Sequence, residues 1–220
     1  GLWNYAITPF NTAKPSTFEG QILVPFAIES ALSGVQKTLK PTDILWYERT
    51  FTVPAKWASQ SVKLNFGAVD WSADVYVNDI LVGSHTGGYA PFSMDITAAL
   101  KKGEQKLTVR VWDPTDSVHH PVGKQRLNPS GIWYTAVSGI WQTVWIEPVS
   151  KANNIKGIAT DCDIVRGEIY ADIECANNNG ILNIEVKDGD KVVYSTKVSC
   201  GSRAILPIID AKLWSPEKPH

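Results

Sequence analysis

Apolar residues in this chain recur with a period of two, in short segments, and no stretch of about ten residues or more carries the three-to-four spacing of an amphipathic helix. Successive side chains of a strand point to opposite faces, so such alternation marks a sheet with one buried and one wet face. The chain is therefore expected to be all-β. In residues 46–53, Tyr47, Phe51 and Val53 share a face with Arg49, while Glu48, Thr50 and Thr52 lie opposite with Trp46. In residues 106–112, Leu107, Val109 and Val111 form the inward set, and Lys106, Thr108 and Arg110 are expected in solvent.

Turn chemistry punctuates these runs. Asn78-Asp79, between residues 74–78 and 80–84, tolerates the positive φ of a tight hairpin. Gly87-Gly88 frees the backbone to bend where Tyr89 and Phe92 are expected to turn inward, and Asp95 with Thr97 can cap the next turn. Turns at this spacing, continuing to residues 141–147, imply a jelly-roll β-sandwich. Most of the nine tryptophans are expected to fill its core. Near Pro148 the texture changes to short Ile- and Val-rich strands. A jelly-roll domain over 1–149 is thus expected, then an immunoglobulin-like sandwich over 150–220, with Ile169, Ala171, Ile173 and Cys175 inward, followed by Leu182, Ile184 and Val186. An immunoglobulin-like domain usually takes about 100 residues, so this second one is expected to be incomplete.

Composition narrows the function classes. A net charge of -1 and a pI of about 6.5 leave no electrostatic footprint for nucleic acid or an anionic membrane. No apolar run reaches the roughly 18 residues of a membrane span, and residues 1–20 lack the order of a secretory signal. The chain starts at Gly1 without an initiator Met, which fits a removed leader and favours a periplasmic or secreted bacterial parent over a cytoplasmic one. Cys162, Cys175 and Cys200 match no zinc spacing, and neither a metal nor another cofactor is expected. They read as small strand residues, with one disulfide and a leftover thiol as the alternative.

Four blocks in order resemble glycoside hydrolase family 2, the β-galactosidase and β-glucuronidase group. The first is Trp46-Tyr47-Glu48-Arg49-Thr50-Phe51 with Val53-Pro54 and Trp57. The second runs through Phe66-Gly67-Ala68-Val69-Asp70, Val75-Tyr76-Val77-Asn78, Val82-Gly83, His85, Gly87-Gly88-Tyr89, Pro91-Phe92 and Asp95-Ile96-Thr97 to Leu107-Thr108-Val109. The third is Ser138-Gly139-Ile140-Trp141-Gln142-Thr143-Val144-Trp145, and the last is Leu213-Trp214-Ser215-Pro216-Glu217 with Pro219-His220. The resemblance implies the non-catalytic N-terminal portion of an enzyme that hydrolyses terminal β-glycosides with retention. Its two glutamates, about 5–5.5 Å apart, would sit on a downstream (β/α)8 barrel. The partners implied are that barrel and a β-glycoside or oligosaccharide. The competing readings are a stand-alone carbohydrate-binding module and a structural interaction domain.

No strand–helix alternation and no Asn-Glu pair supplies catalytic machinery here. Asp43, Asp70, Asp74, Asp95, Asp113 and Asp116 read as turn residues or solvated strand ends. His85 reads as a loop anchor. The most informative remainder is residues 113–130, about 18 residues where connections usually take about 4–6. The resemblance implies that this loop reaches the barrel mouth, with an Asp six positions before the Gly of the third block touching substrate. Here that position is Trp133, so stacking on a sugar face replaces hydrogen bonding. Trp133, Glu29, Asp113, His119 and His120 are the candidate cleft-facing residues.

Overall fold

The computed structural model describes residues 1–219, so the end of the last motif, at His220, lies outside the described residues. Contacts divide the chain into a unit of residues 1–148 and one of residues 149–220. The first unit contains β1 (Leu2–Pro9), β2 (Gly20–Leu23), β3 (Asp43–Thr52), β4 (Ser61–Phe66), β5 (Val69–Asp70), β6 (Ser72–Val77), β7 (Ile80–Thr86), β8 (Phe92–Asp95), β9 (Glu104–Trp112), β10 (Gln125–Arg126), β11 (Tyr134–Thr135) and β12 (Gly139–Ile140), with β13 (Val144–Val149) crossing into the second. Helical structure among the described residues is limited to three 3-10 turns.

The chain is an all-β sandwich. A six-stranded sheet, β2-β1-β3-β9-β6-β7, is covered by the three-stranded β13-β4-β8, and β12 pairs with β5 at one end. Tyr47, Leu107, Val109 and Val111 from the large sheet meet Val62, Leu64 and Phe66 from the small one in a single core. The alternation of apolar residues produces this arrangement directly, since each strand turns its apolar set to the same side. Asn78 and Asp79, at φ 52° and 65°, make the β6–β7 hairpin. The Asn78 amide donates to the carbonyl of Ala99 and to Gln105 Oε1, 2.8 Å each. Asp95 Oδ1 accepts from the Thr97 backbone N–H at 2.9 Å, capping the next turn.

Three expectations about this unit need correction. Thr108 is 1% exposed rather than solvated: its short side chain sits at the centre of the sheet between the longer Glu48 and Tyr76. Tyr89 is exposed, whereas Phe92 does turn in, stacking on Phe66 and His85. Of the tryptophans among the described residues only Trp3 is buried in that core, while Trp46, also buried, lies on the opposite face of β3 and donates to Thr8 Oγ1 at 2.9 Å. An indole N–H needs an acceptor, and the rim supplies one: Trp112 donates to the carbonyl of Pro41 and Trp141 to that of Gly88, both at 2.8 Å.

The second unit contains β14 (Ile155–Asp163), β15 (Glu168–Cys175), β16 (Ile181–Asp188), β17 (Lys191–Ser199) and β18 (Arg203–Pro207). They form the sheets β14-β15-β18 and β16-β17. Ala171, Ile173, Cys175, Cys200, Ala204 and Leu206 are its buried residues, with Ile169, Leu182, Ile184 and Val186 packed against them. This is the inward set that the alternation predicts.

Candidate functional site

Three carboxylates far apart in sequence converge beneath the long connection after β9. Asp70 ends β5, where it lies opposite Gly139 of β12. Asp113 follows β9 directly, and Glu29 comes from the connection between β2 and β3. Glu29 and Asp113 meet at Ser138, which is fully buried. Its backbone N–H donates to Glu29 Oε2 at 2.9 Å and its hydroxyl donates to Asp113 Oδ2 at 2.6 Å. Asp113 Oδ1 accepts from the Thr115 N–H at 2.7 Å. Gln125 bridges to the third acid, donating to Asp70 Oδ2 at 3.1 Å while its Oε1 accepts from the Val137 N–H at 2.6 Å.

Asp70 and Asp113 are 5% and 1% exposed, which corrects their reading as solvated strand ends. Burial disfavours the charged form of an acid. It pushes Asp70 up to about 7, assisted by the nearby charges of Asp113 and Glu29 and opposed by the Gln125 hydrogen bond. Glu29 and Asp113 are raised by burial too, against the hydrogen bonds from Ser138. Glu29 Oε1 is buried with no hydrogen-bond partner among the described residues. Tyr47 joins from below: its hydroxyl accepts from the Ile140 N–H at 3.2 Å, and burial pushes the phenol well above its ordinary value. Glu29 and Asp113 hold Ser138, Gln125 holds Val137 and Tyr47 holds Ile140, so the buried acids serve the domain's own backbone. Among the described residues no group of three or more His, Cys, Asp or Glu could hold a metal ion.

The loop above this base is braced internally. β10 and β11 pair in parallel. Arg126 lies 3.6 Å from Asp116 and stacks its guanidinium 3.8 Å from the Trp133 ring centroid. Trp133 is 40% exposed between Ile132 at 69% and Tyr134 at 64%. His119 is exposed. His120 packs on Trp71 at 4.6 Å, with Nδ1 3.2 Å from the carbonyl of Val118. The structure thus brings Glu29 and Asp113 together at Ser138, sets His120 close enough for its charge to act on Asp113 and, among the described residues, leaves His119 and Trp133 without a hydrogen bond to either acid. Sequence reasoning passed over Asp70 as a member of the cluster, along with Gln125 and Ser138, because their partners are 55, 12 and 109 positions away.

Comparison with known proteins gives the chain's family. Residues 1–146 match the family described as "Glycosyl hydrolases family 2, sugar binding domain". A β-glucuronidase of Paenibacillus borealis is 27% identical over 238 residues, covering 98% of this chain and 39% of the relative. A β-galactosidase of Thermoanaerobacter pseudethanolicus is 30% identical over 167 residues, covering 71% and 21%. A solved β-glucuronidase of Ruminococcus gnavus, in complex with uronic isofagomine, shares the fold at a TM-score of 0.74 and 21% identity, over 100% of this chain and 39% of that one. The chain spans about two fifths or less of the length of these relatives. It belongs to glycosyl hydrolases family 2, and residues 1–146 are the family's sugar binding domain.

Proposed function

We propose that this chain is the non-catalytic N-terminal part of a retaining β-glycosidase, supporting and completing a substrate cleft whose glutamate pair lies on a further barrel domain. The observation that carries this reading is the division of labour around Ser138. The clustered carboxylates are turned inward and spent on backbone N–H groups and hydroxyls, and the loop they support presents Trp133 outward. Arg126 stacks on the Trp133 indole, and the 40% of Trp133 that stays exposed is the surface offered to the apolar C–H face of a sugar ring. Relatives named β-glucuronidase and β-galactosidase support a terminal β-glucuronide or β-galactoside as the substrate class.

The test is an assay of the purified chain on aryl β-galactoside and aryl β-glucuronide, with calorimetric titration of the free sugars. No turnover is expected, and monosaccharide binding at about millimolar Kd or weaker, near 4 kcal/mol. Turnover abolished by a substitution within this chain would overturn the reading. Micromolar monosaccharide binding would replace it with a stand-alone carbohydrate-binding module.

A further inference from the structure

The second unit brings two of the three cysteines together. Cys175 closes β15 in one sheet, and Cys200 follows β17 of the other; they are 9% and 8% exposed and belong to one buried cluster. Each is held by its surroundings. The Cys200 backbone N–H donates to the carbonyl of Gly180 at 3.0 Å, and Ala176, next to Cys175, donates to that of Asn154 at 2.8 Å. The Asn153 amide reaches Cys200 Sγ at 3.5 Å. The β15–β18 register, which pairs Glu168 with Pro207 and Asp172 with Arg203, runs on toward Cys175 and Cys200, and the neighbouring Cys200 thiol, with burial, raises Cys175 above its ordinary value. Both are free thiols in the structure.

Cys162 is excluded from this pair by register. It lies opposite Ile169 on β15, whereas Cys175 lies opposite Ile155. Six residues of strand at about 3.3 Å each put it roughly 20 Å from Cys175, and a disulfide needs Cα atoms within about 7 Å.

We propose that Cys175 and Cys200 are a disulfide site, joining the β14-β15-β18 sheet to the end of β17 when the chain meets an oxidising disulfide. One thiolate attacks a sulfur of a small disulfide such as oxidised glutathione, expelling one glutathione thiolate and leaving a mixed disulfide. The second cysteine attacks that bond at the protein sulfur and expels the other glutathione. The two electrons lost by the cysteine pair reduce one glutathione disulfide to two thiols, and the two thiol protons leave with them. The elevated Cys175 thiol makes attack slow at neutral pH and faster as pH rises. The bridge would constrain residues 176–199 in the unfolded chain, so it stabilises the unit.

The experiment equilibrates the full chain with oxidised glutathione, quenches with acid, and reads intact mass, a peptide map and thermal unfolding. The expected product is lighter by two hydrogens, yields one cross-linked peptide pair containing Cys175 and Cys200, and keeps Cys162 alkylatable. Its second unit should melt about 5–15 °C higher, a shift reversed by dithiothreitol. Cys162→Ser should still form the bridge and Cys175→Ser should not. Three free thiols in the folded chain, a glutathione adduct that persists on either residue, or a bridge that includes Cys162 would each overturn the proposal.

Discussion

The hydroxyl of Tyr47 occupies the place where a Cβ on Gly139 would stand. Gly139 also holds φ at 86°, where a side chain is strained. Tyr47 is fully buried, and its hydroxyl accepts the N–H of Ile140. The glycine of the third sequence block is therefore required twice, by backbone conformation and by the close approach of β3. Gly139→Ala should destabilise the first unit by about 3 kcal/mol or more in chemical denaturation. Tyr47→Phe should cost roughly 1–3 kcal/mol by leaving the Ile140 N–H unpaired. Because the two residues touch, the double variant should lose less than the sum; additive losses would contradict the contact.

Stability from the buried acids should fall as pH rises from about 4 to 7. Asp70 has an ordinary value of 3.8 and is held up to about 7 in the folded chain. The folded form keeps its proton where the unfolded chain has lost it, so this contribution is fully present below about pH 4 and is lost as pH climbs to 7. The expected loss is on the order of 2–4 kcal/mol, and Glu29 and Asp113, also raised, act in the same sense. Asp79, held down to about 2 by Lys106 and Lys14, works the other way, with its contribution lost only as pH falls from about 4 through 2. Asp70→Asn should flatten the slope between pH 4 and 7 in urea unfolding. A slope unchanged by that substitution would count against the buried acid.

The second unit should open more readily than the first. Its buried set is small and includes two alanines and two cysteines, whereas Leu107, Val109 and Val111 are at most 4% exposed inside a six-stranded sheet. Local opening costs less where less apolar surface is buried. Native-state hydrogen exchange should find amides of residues 168–198 exchanging faster than those of residues 107–111. Equal protection would show that the smaller core is as cooperative as the larger.

Alternation, the Asn78-Asp79 hairpin and the Asp95–Thr97 cap were legible because each is a local pattern with one physical cause. His85 was legible too: it hydrogen-bonds the carbonyl of Gly87 at 3.2 Å. Burial of Thr108 was not, since it depends on neighbours contributed by two other strands. Nor were Asp70 and Asp113, because a carboxylate at a strand end looks the same in sequence whether it meets water or, as these do, Gln125 and Ser138. The tryptophans misled for a related reason: an apolar ring argues for the core, and its N–H argues for the rim where carbonyls are free.

The most direct test of the central claim is steady-state kinetics, across pH, of the full-length glycosidase proposed to carry this chain, on an aryl β-glycoside. Trp133→Ala should lower kcat/KM about ten-fold or more, mainly through KM, because the proposed sugar-stacking face is lost. Asp70→Asn, Asp113→Asn and Glu29→Gln should keep kcat within about ten-fold and leave both limbs of the pH–rate profile in place. A folded carboxylate variant with kcat down by about a thousand-fold and one limb missing would show that the chain supplies a catalytic group, contrary to the account.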